Sequence, residues 1–213
     1  MPIDVKICGL MAEDAMSAAV AGGASFVGFV FFPPSPRSLT PDRAAELTGA
    51  VPASVTKVAL TVDAEDDYLE AIVVGAGIDM LQLHGSETPE RVAEIRARHG
   101  LPVMKAVAIA GTTDIARARA YEGVADRLLF DARPPEGATR PGGNALAFDW
   151  ELIRGETWRR PWMLAGGLTA DNVAEAARIS GASAVDVSSG VEDAPGVKNV
   201  AKIKAFLAAA AIA

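Results

Sequence analysis

The chain has 213 residues, half of them hydrophobic and 22% charged, with a formal net charge of −7, one cysteine and two histidines. This composition can bury a large core; it excludes a disordered chain and a disulfide scaffold, and it lacks the basic surface that sequence-independent binding to nucleic acid or an anionic membrane requires. No apolar run approaches the roughly 18 residues that cross a bilayer and no basic-then-apolar leader precedes the first strand, so one soluble, cytoplasmic domain over residues 1–213 with a small-molecule partner is expected.

Short apolar runs alternate with amphipathic ones along the chain. Strands are predicted over residues 5–8, 26–32, 56–62, 80–84, 103–109, 127–131, 162–165 and 184–188. Helical spacing falls between most of them, over 12–21, 41–48, 65–74, 89–98, 112–120 and 170–179, and a last helix runs from residue 198 to the Ala-rich end. Thr40-Pro41 and the stretches 86–89 and 169–171 carry helix-start signals, while Gly-Ala pairs at Gly23, Gly75 and Gly181 fall where helices end. The apolar tail 205–213 is read as a cap on the barrel bottom, with packing against a second subunit as the alternative.

Strands that are nearly continuous apolar runs suit a parallel sheet covered by helices, and eight βα units predict an α/β fold, a single (β/α)8 TIM barrel. An open doubly wound sheet is the alternative. Its Gly-x-Gly-x-x-Gly signature is missing after the first strand, where the chain reads Gly9-Leu10-Met11.

In a barrel the chemistry sits at the C-terminal strand ends and in the loops that follow. Here those ends carry Cys8, then Gln82 and His84, then Asp131, then Gly166-Gly167, and finally Asp186, Ser188, Ser189 and Gly190. Period-two alternation puts Lys6 on the face of Cys8, Gln82 on that of His84, and Asp186 on that of Ser188. Taken singly, each residue has a plainer reading: a buried small hydrophobe for Cys8, a structural histidine for His84, a turn into a helix for Gly166-Gly167, a solvated loop for Arg37. Two glycine and hydroxyl loops after the last two strands favour a phosphate site, because glycine lets backbone amides approach an anion. Pro33, Pro34 and Pro36 stiffen the loop of Arg37, which suits its guanidinium to a planar carboxylate.

The segments Lys6-Ile7-Cys8-Gly9, Ser35-Pro36-Arg37, Leu81-Gln82-Leu83-His84-Gly85, Leu128-Leu129-Phe130-Asp131, Phe148-Asp149-Trp150, Leu164-Ala165-Gly166-Gly167-Leu168 and Val185-Asp186-Val187-Ser188-Ser189-Gly190-Val191-Glu192 resemble, in order and across the chain, those of phosphoribosylanthranilate isomerase. The resemblance implies an Amadori rearrangement of an aminoaldose to an aminoketose in tryptophan biosynthesis, on a (β/α)8 barrel, without cofactor or metal. It implies Cys8 as general base, Asp131 as general acid, Arg37 on the anthranilate carboxylate, Asp186 near the anthranilate amine, and the loops at Gly166-Gly167 and Ser188 to Gly190 around the phosphate; Gln82 and His84 line the pocket wall. The partner is a phosphorylated small molecule, and the assembly a monomer or homodimer. A free thiol titrates near 8.5, so Lys6 and nearby amides are expected to favour the Cys8 thiolate, and Asp131 is expected to hold a proton.

One stretch departs from the family pattern. Gly142-Gly143 is followed by Asn144, Ala145, Leu146 and Ala147 where the family has Gly-Gly-Thr-Gly-Lys, which bears on how that loop closes and whether it brings a charge. Other phosphosugar barrels match less well. An epimerase needs metal-ligand histidines on several strands and the chain has only His84 and His99, while barrel isomerases of histidine biosynthesis use aspartate where Cys8 stands. A catalytically silent phosphate-binding protein would have no use for Cys8 together with Asp131.

Overall fold

The computed structural model describes residues 3–134, 137, 140–144 and 146–212. Eight parallel strands, β1 (Asp4–Cys8), β2 (Phe26–Phe31), β3 (Thr56–Thr61), β4 (Met80–Leu83), β5 (Val103–Ile109), β6 (Arg127–Ala132), β7 (Trp162–Leu164) and β8 (Ala184–Val187), pair in chain order and close β8 onto β1. The closing register sets Lys6 against Asp186, and the register of the first pair sets Cys8 against Gly28. Seven α-helices among the described residues cover the barrel: α1 (Glu13–Ala21), α2 (Pro41–Thr48), α3 (Asp66–Gly75), α4 (Pro89–His99), α5 (Thr112–Ala118), α6 (Val173–Ser180) and α7 (Val200–Ala211).

Alternation along each strand divides the side chains into two cores. Outward residues such as Ile7, Val27, Leu81 and Val185 pack under the helices in one continuous apolar cluster. Inward residues stack along the barrel axis instead. Phe26, Val58, Met80, Met104, Leu129 and Met163 fill the floor, where the Arg127 guanidinium lies 5.1 Å from the centre of the Phe26 ring. Above that floor the interior turns polar, with Lys6, Gln82, Asp131 and Asp186 all buried. A dry floor therefore supports a layer of charged and amide side chains directly beneath the mouth.

The helix starts follow the capping chemistry in two places. Thr40 and Thr88 each accept the backbone N–H three residues on, and each precedes a first-turn proline. At the third the expectation fails: α6 begins later, at Val173, and its preceding turn is held by Asn172, whose Oδ1 accepts from Thr169 N and whose Nδ2 donates to the Gly167 carbonyl. The eightfold βα repeat is also imperfect. Between β6 and β7 the described residues make only a 3-10 turn, Trp150–Ile153, started by the Asp149 side chain accepting from Glu151 N. The C-terminal helix does not cap the barrel bottom either. α7 joins the outer ring beside α1 and α6 and buries Ile203, Phe206, Leu207 and Ala210 there, because its apolar stripe recurs at helical spacing.

Candidate active site

Two adjoining cavities open at the C-terminal ends of the strands. One, of about 410 Å³, is walled by the turns Gly142 to Asn144, Ala165 to Leu168 and Val187 to Gly190, so backbone dominates its lining. The other, of about 470 Å³, has an apolar wall of Val30, Phe32, Leu60 and Val62, with Cys8, Arg37, His84 and Arg140 around it. Asp131, Asp186, Ser188, Gly142 and Gly143 line both. Every residue singled out from the sequence lines one or both of these cavities except Lys6 and Gln82, which are buried in the layer beneath Cys8 and His84.

On β1 and β8, Lys6 donates to Asp186 Oδ1 at 2.9 Å inside the barrel and is fully buried. Burial opposes the Lys6 charge, yet Asp186 and Cys8 outweigh it and its pKa is raised to about 12. Cys8, buried above this pair, differs from the expectation. Burial pushes its thiol up, Asp186 adds to that, and Lys6, already engaged by Asp186, offsets only part, so the thiol is neutral near neutral pH. Gly28 on β2 makes room for both groups, since a Cβ there would stand 2.9 Å from Cys8 Sγ and 3.1 Å from Lys6 Nζ.

Across the mouth, Asp131 is fixed at both carboxyl oxygens. Oδ1 accepts from Ala132 N at 2.8 Å, and Oδ2 lies 3.3 Å from His84 Nε2. His84 Nδ1 in turn lies 2.9 Å from Gln82 Nε2. With the Gln82 amide donating to Nδ1, the ring proton sits on Nε2 and faces Asp131.

The Arg37 reading needs correcting in its geometry. The side chain is 4% exposed rather than solvated, and its fork is taken: Nε and Nη2 each donate to Glu192 at 2.7 Å. Lys198 also binds Glu192, at 2.8 Å, and reaches Ser188 through its carbonyl at 2.8 Å and its Oγ at 3.1 Å. Burial resists the charge on Glu192, but Arg37 and Lys198 hold it below the usual carboxylate range. Glu192 and Lys198 come from a small ribbon, β9 (Glu192–Ala194) paired with β10 (Val197–Lys198). Nη1 is left free of Glu192, 2.9 Å from where a Cβ on Gly143 would be.

The segment 140–147 lies over this layer, and Ala145 is outside the described residues. A Cβ on Gly142 would come within 2.7 Å of Asp131 Oδ2 and 2.9 Å of His84 Nε2, so the bare backbone of Gly142-Gly143 is what lets the loop settle over acid and guanidinium together. The loop does bring a charge, from Arg140. Its Nη1 is buried without a hydrogen-bond partner among the described residues. The loops after β7 and β8 are nested in the same way: a Cβ on Gly190 would collide with the Leu168 carbonyl at 1.9 Å. Among the described residues no three His, Cys, Asp or Glu side chains converge on a metal site, and no helix is long and apolar enough to cross a membrane.

Fold and site together define a (β/α)8 barrel enzyme for a phosphorylated ligand with an apolar end, equipped for proton transfer. The family model for N-(5'-phosphoribosyl)anthranilate (PRA) isomerase matches residues 5–209. The chain is 60% identical over 210 residues to the N-(5'-phosphoribosyl)anthranilate isomerase of Paramagnetospirillum magneticum, covering 99% of this chain and 98% of that one. The corresponding protein of Rhodospirillum centenum is 58% identical, with 99% of each covered. Among solved structures, the phosphoribosyl anthranilate isomerase of Thermotoga maritima superposes with a TM-score of 0.87 at 35% identity over 98% of both chains. A structure of a phosphoribosyl anthranilate isomerase in complex with reduced 1-(o-carboxyphenylamino)-1-deoxyribulose 5-phosphate superposes with a TM-score of 0.84 at 34% identity, again over 98% of both. The chain belongs to the N-(5'-phosphoribosyl)anthranilate isomerase family.

Proposed function

We propose that Cys8 is the general base and Asp131 the general acid of the isomerisation, acting on a substrate that spans both chambers. N-(5'-phosphoribosyl)anthranilate is the substrate and 1-(2-carboxyphenylamino)-1-deoxyribulose 5-phosphate the product, in a step of tryptophan biosynthesis. The phosphate rests against the backbone of Gly166, Gly167, Ser188, Ser189 and Gly190, and the aromatic ring against Val30, Phe32 and Leu60. Arg37 Nη1 and the Arg140 guanidinium meet the ring carboxylate, and Asp186 accepts from the amine N–H. The observation that carries this reading is the wall common to the two chambers, where Asp131 and Asp186 border the backbone-lined cavity and the apolar one together, the latter holding Cys8.

Asp131 gives its proton to the furanose oxygen, the bond from C1 to that oxygen breaks, and the nitrogen lone pair forms an iminium. The Cys8 thiolate then takes the proton from C2, and the released electron pair neutralises the iminium as an enolamine. Protonation at C1 and loss of the C2 hydroxyl proton complete the aminoketose. A raised thiol pKa lowers the fraction ionised but makes each thiolate a stronger base, and the iminium formed beside the sulfur favours ionisation when it is needed. Gln82 and His84 orient the Asp131 carboxyl. We take the whole chain as one barrel domain working as a monomer or homodimer; for the Thermotoga maritima relative, monomers have been generated from a dimeric enzyme.

Turnover is read from the loss of anthranilate fluorescence as substrate is consumed. Cys8→Ser and Asp131→Asn are each expected to lower kcat by at least about 10²-fold. A variant of either kind that runs within tenfold of the parent overturns the assignment of that residue.

A further inference from the structure

Behind the wall that carries His84 lies a buried ion pair that lines neither cavity. Lys105 sits on β5 beside Leu83 of β4, on the outward face, and is 2% exposed; Glu87, in the turn leading into α4, is 5% exposed. All three donors of the Lys105 ammonium are engaged: at 2.7 Å with Glu87 Oε2, at 2.7 Å with the Gly85 carbonyl, and at 3.2 Å with the Leu83 carbonyl. Those two carbonyls flank His84. The Glu87 carboxylate accepts Gly85 N at 3.0 Å through Oε2, and Asp63 N at 2.9 Å through Oε1. His84 N itself donates to the Thr61 carbonyl at 2.9 Å. Tyr121 closes the back, its hydroxyl donating to the Glu87 carbonyl at 2.9 Å and its ring 5.7 Å from Lys105 Nζ.

We propose that Lys105 and Glu87 are positioning residues for the isomerisation, forming a clamp that fixes the peptide groups on both sides of His84 and so holds its imidazole against Asp131. Two charges withdrawn from water lose more hydration than their attraction reliably returns, and well-packed apolar side chains would fill the same volume without that loss. Apolar side chains, however, offer no donor to the carbonyls of Leu83 and Gly85 and no acceptor to the amides of Gly85 and Asp63. The strand end would then be free to shift, and with it the imidazole that holds Asp131 from 3.3 Å; proton transfer from Asp131 to the substrate is sensitive to sub-ångström displacement.

The inference rests on the reading of His84 as the group that orients Asp131, so the test varies both. Lys105→Met, Glu87→Gln, His84→Ala and the double variant Lys105→Met/His84→Ala are assayed for kcat, KM and thermal midpoint. Removing either member of the clamp is expected to lower kcat about tenfold or more while KM moves less than about twofold, and Lys105→Met is expected to cost nothing further once His84 is alanine. Glu87→Gln preserves shape and answers the question should Lys105→Met fail to fold. If both clamp variants keep the parent kcat per folded molecule and lose only thermal stability, the clamp is structural and the proposal is overturned. If His84→Ala is slow but Lys105→Met slows it a further tenfold, the clamp does not act through His84 and the proposal fails while the site reading survives. An His84→Ala enzyme with the parent kcat removes the site reading and the clamp with it.

Discussion

At the scale of single residues, the site depends on what burial does to charge. Lys6 is held charged by Asp186 while the Cys8 thiol above it is driven toward its neutral form, so the cation beside the sulfur is an anchor for Asp186 first and an activator of Cys8 second. This has a pH consequence. The base must lose a proton, its pKa is raised, and kcat/KM is therefore expected to keep climbing with pH beyond about 8.5, where an ordinary thiol is half ionised. A plateau already reached below that pH would contradict the assignment. Stability runs the opposite way with pH. The Lys6 pKa is higher folded than unfolded, so its contribution is complete below the unfolded lysine value of about 10.4 and is lost as pH rises through about 12, which denaturant titrations across that range measure. Much of the residue-level chemistry was legible, because strand-end polarity and period-two alternation single out Cys8, Gln82, His84, Asp131 and Asp186. The partner of Arg37 was not. Glu192 stands 155 positions away, and nothing local distinguishes its carboxylate from a solvated one. Lys105 did leave a signal: a lysine within the apolar run 103–109, on the helix-facing side of the strand, marks a buried charge in need of partners.

At the scale of elements, the strands were read well because covered parallel strands are continuous apolar runs, and the closed sheet leaves no alternative pairing for them. The helices were less legible wherever loop chemistry competed with spacing. The segment after β6 is rich in glycine and proline, and what helical signal remains near Trp150 supports only a 3-10 turn. The α6 start was misplaced because Asn172 ties its side chain back to Thr169 and Gly167 and keeps those residues in a turn. The apolar end of the chain was placed in the wrong layer, since composition reports that α7 must be covered but not by which neighbour. Its position in the ring has a measurable consequence. Phe206 is fully buried there, so Phe206→Ala is expected to destabilise the fold by about 3–5 kcal/mol in urea or thermal unfolding, with kcat of the folded fraction unchanged. A loss below about 1 kcal/mol would mean that α7 is held mainly by something other than this packing.

For the whole molecule, the barrel grades its interior from an apolar floor to a polar layer to an open mouth, and the chain carries a formal net charge of −7 while gathering Lys6, Arg37, Arg140 and Lys198 around that mouth. An anionic ligand thus meets a cluster of cations at the mouth. The β1 and β6 strand ends contribute to the same end, bringing sulfur and carboxyl to one cavity from positions far apart in the sequence. The most direct measurement is a crystal structure of this protein with reduced 1-(o-carboxyphenylamino)-1-deoxyribulose 5-phosphate bound. The expected result has Cys8 Sγ about 3.5 Å from C2 of the sugar chain and an Asp131 oxygen at hydrogen-bond distance from the oxygen that closes the furanose, with the phosphate against the loops after β7 and β8. A bound ligand whose C2 faces away from the sulfur, or whose phosphate occupies the apolar chamber, would contradict the account.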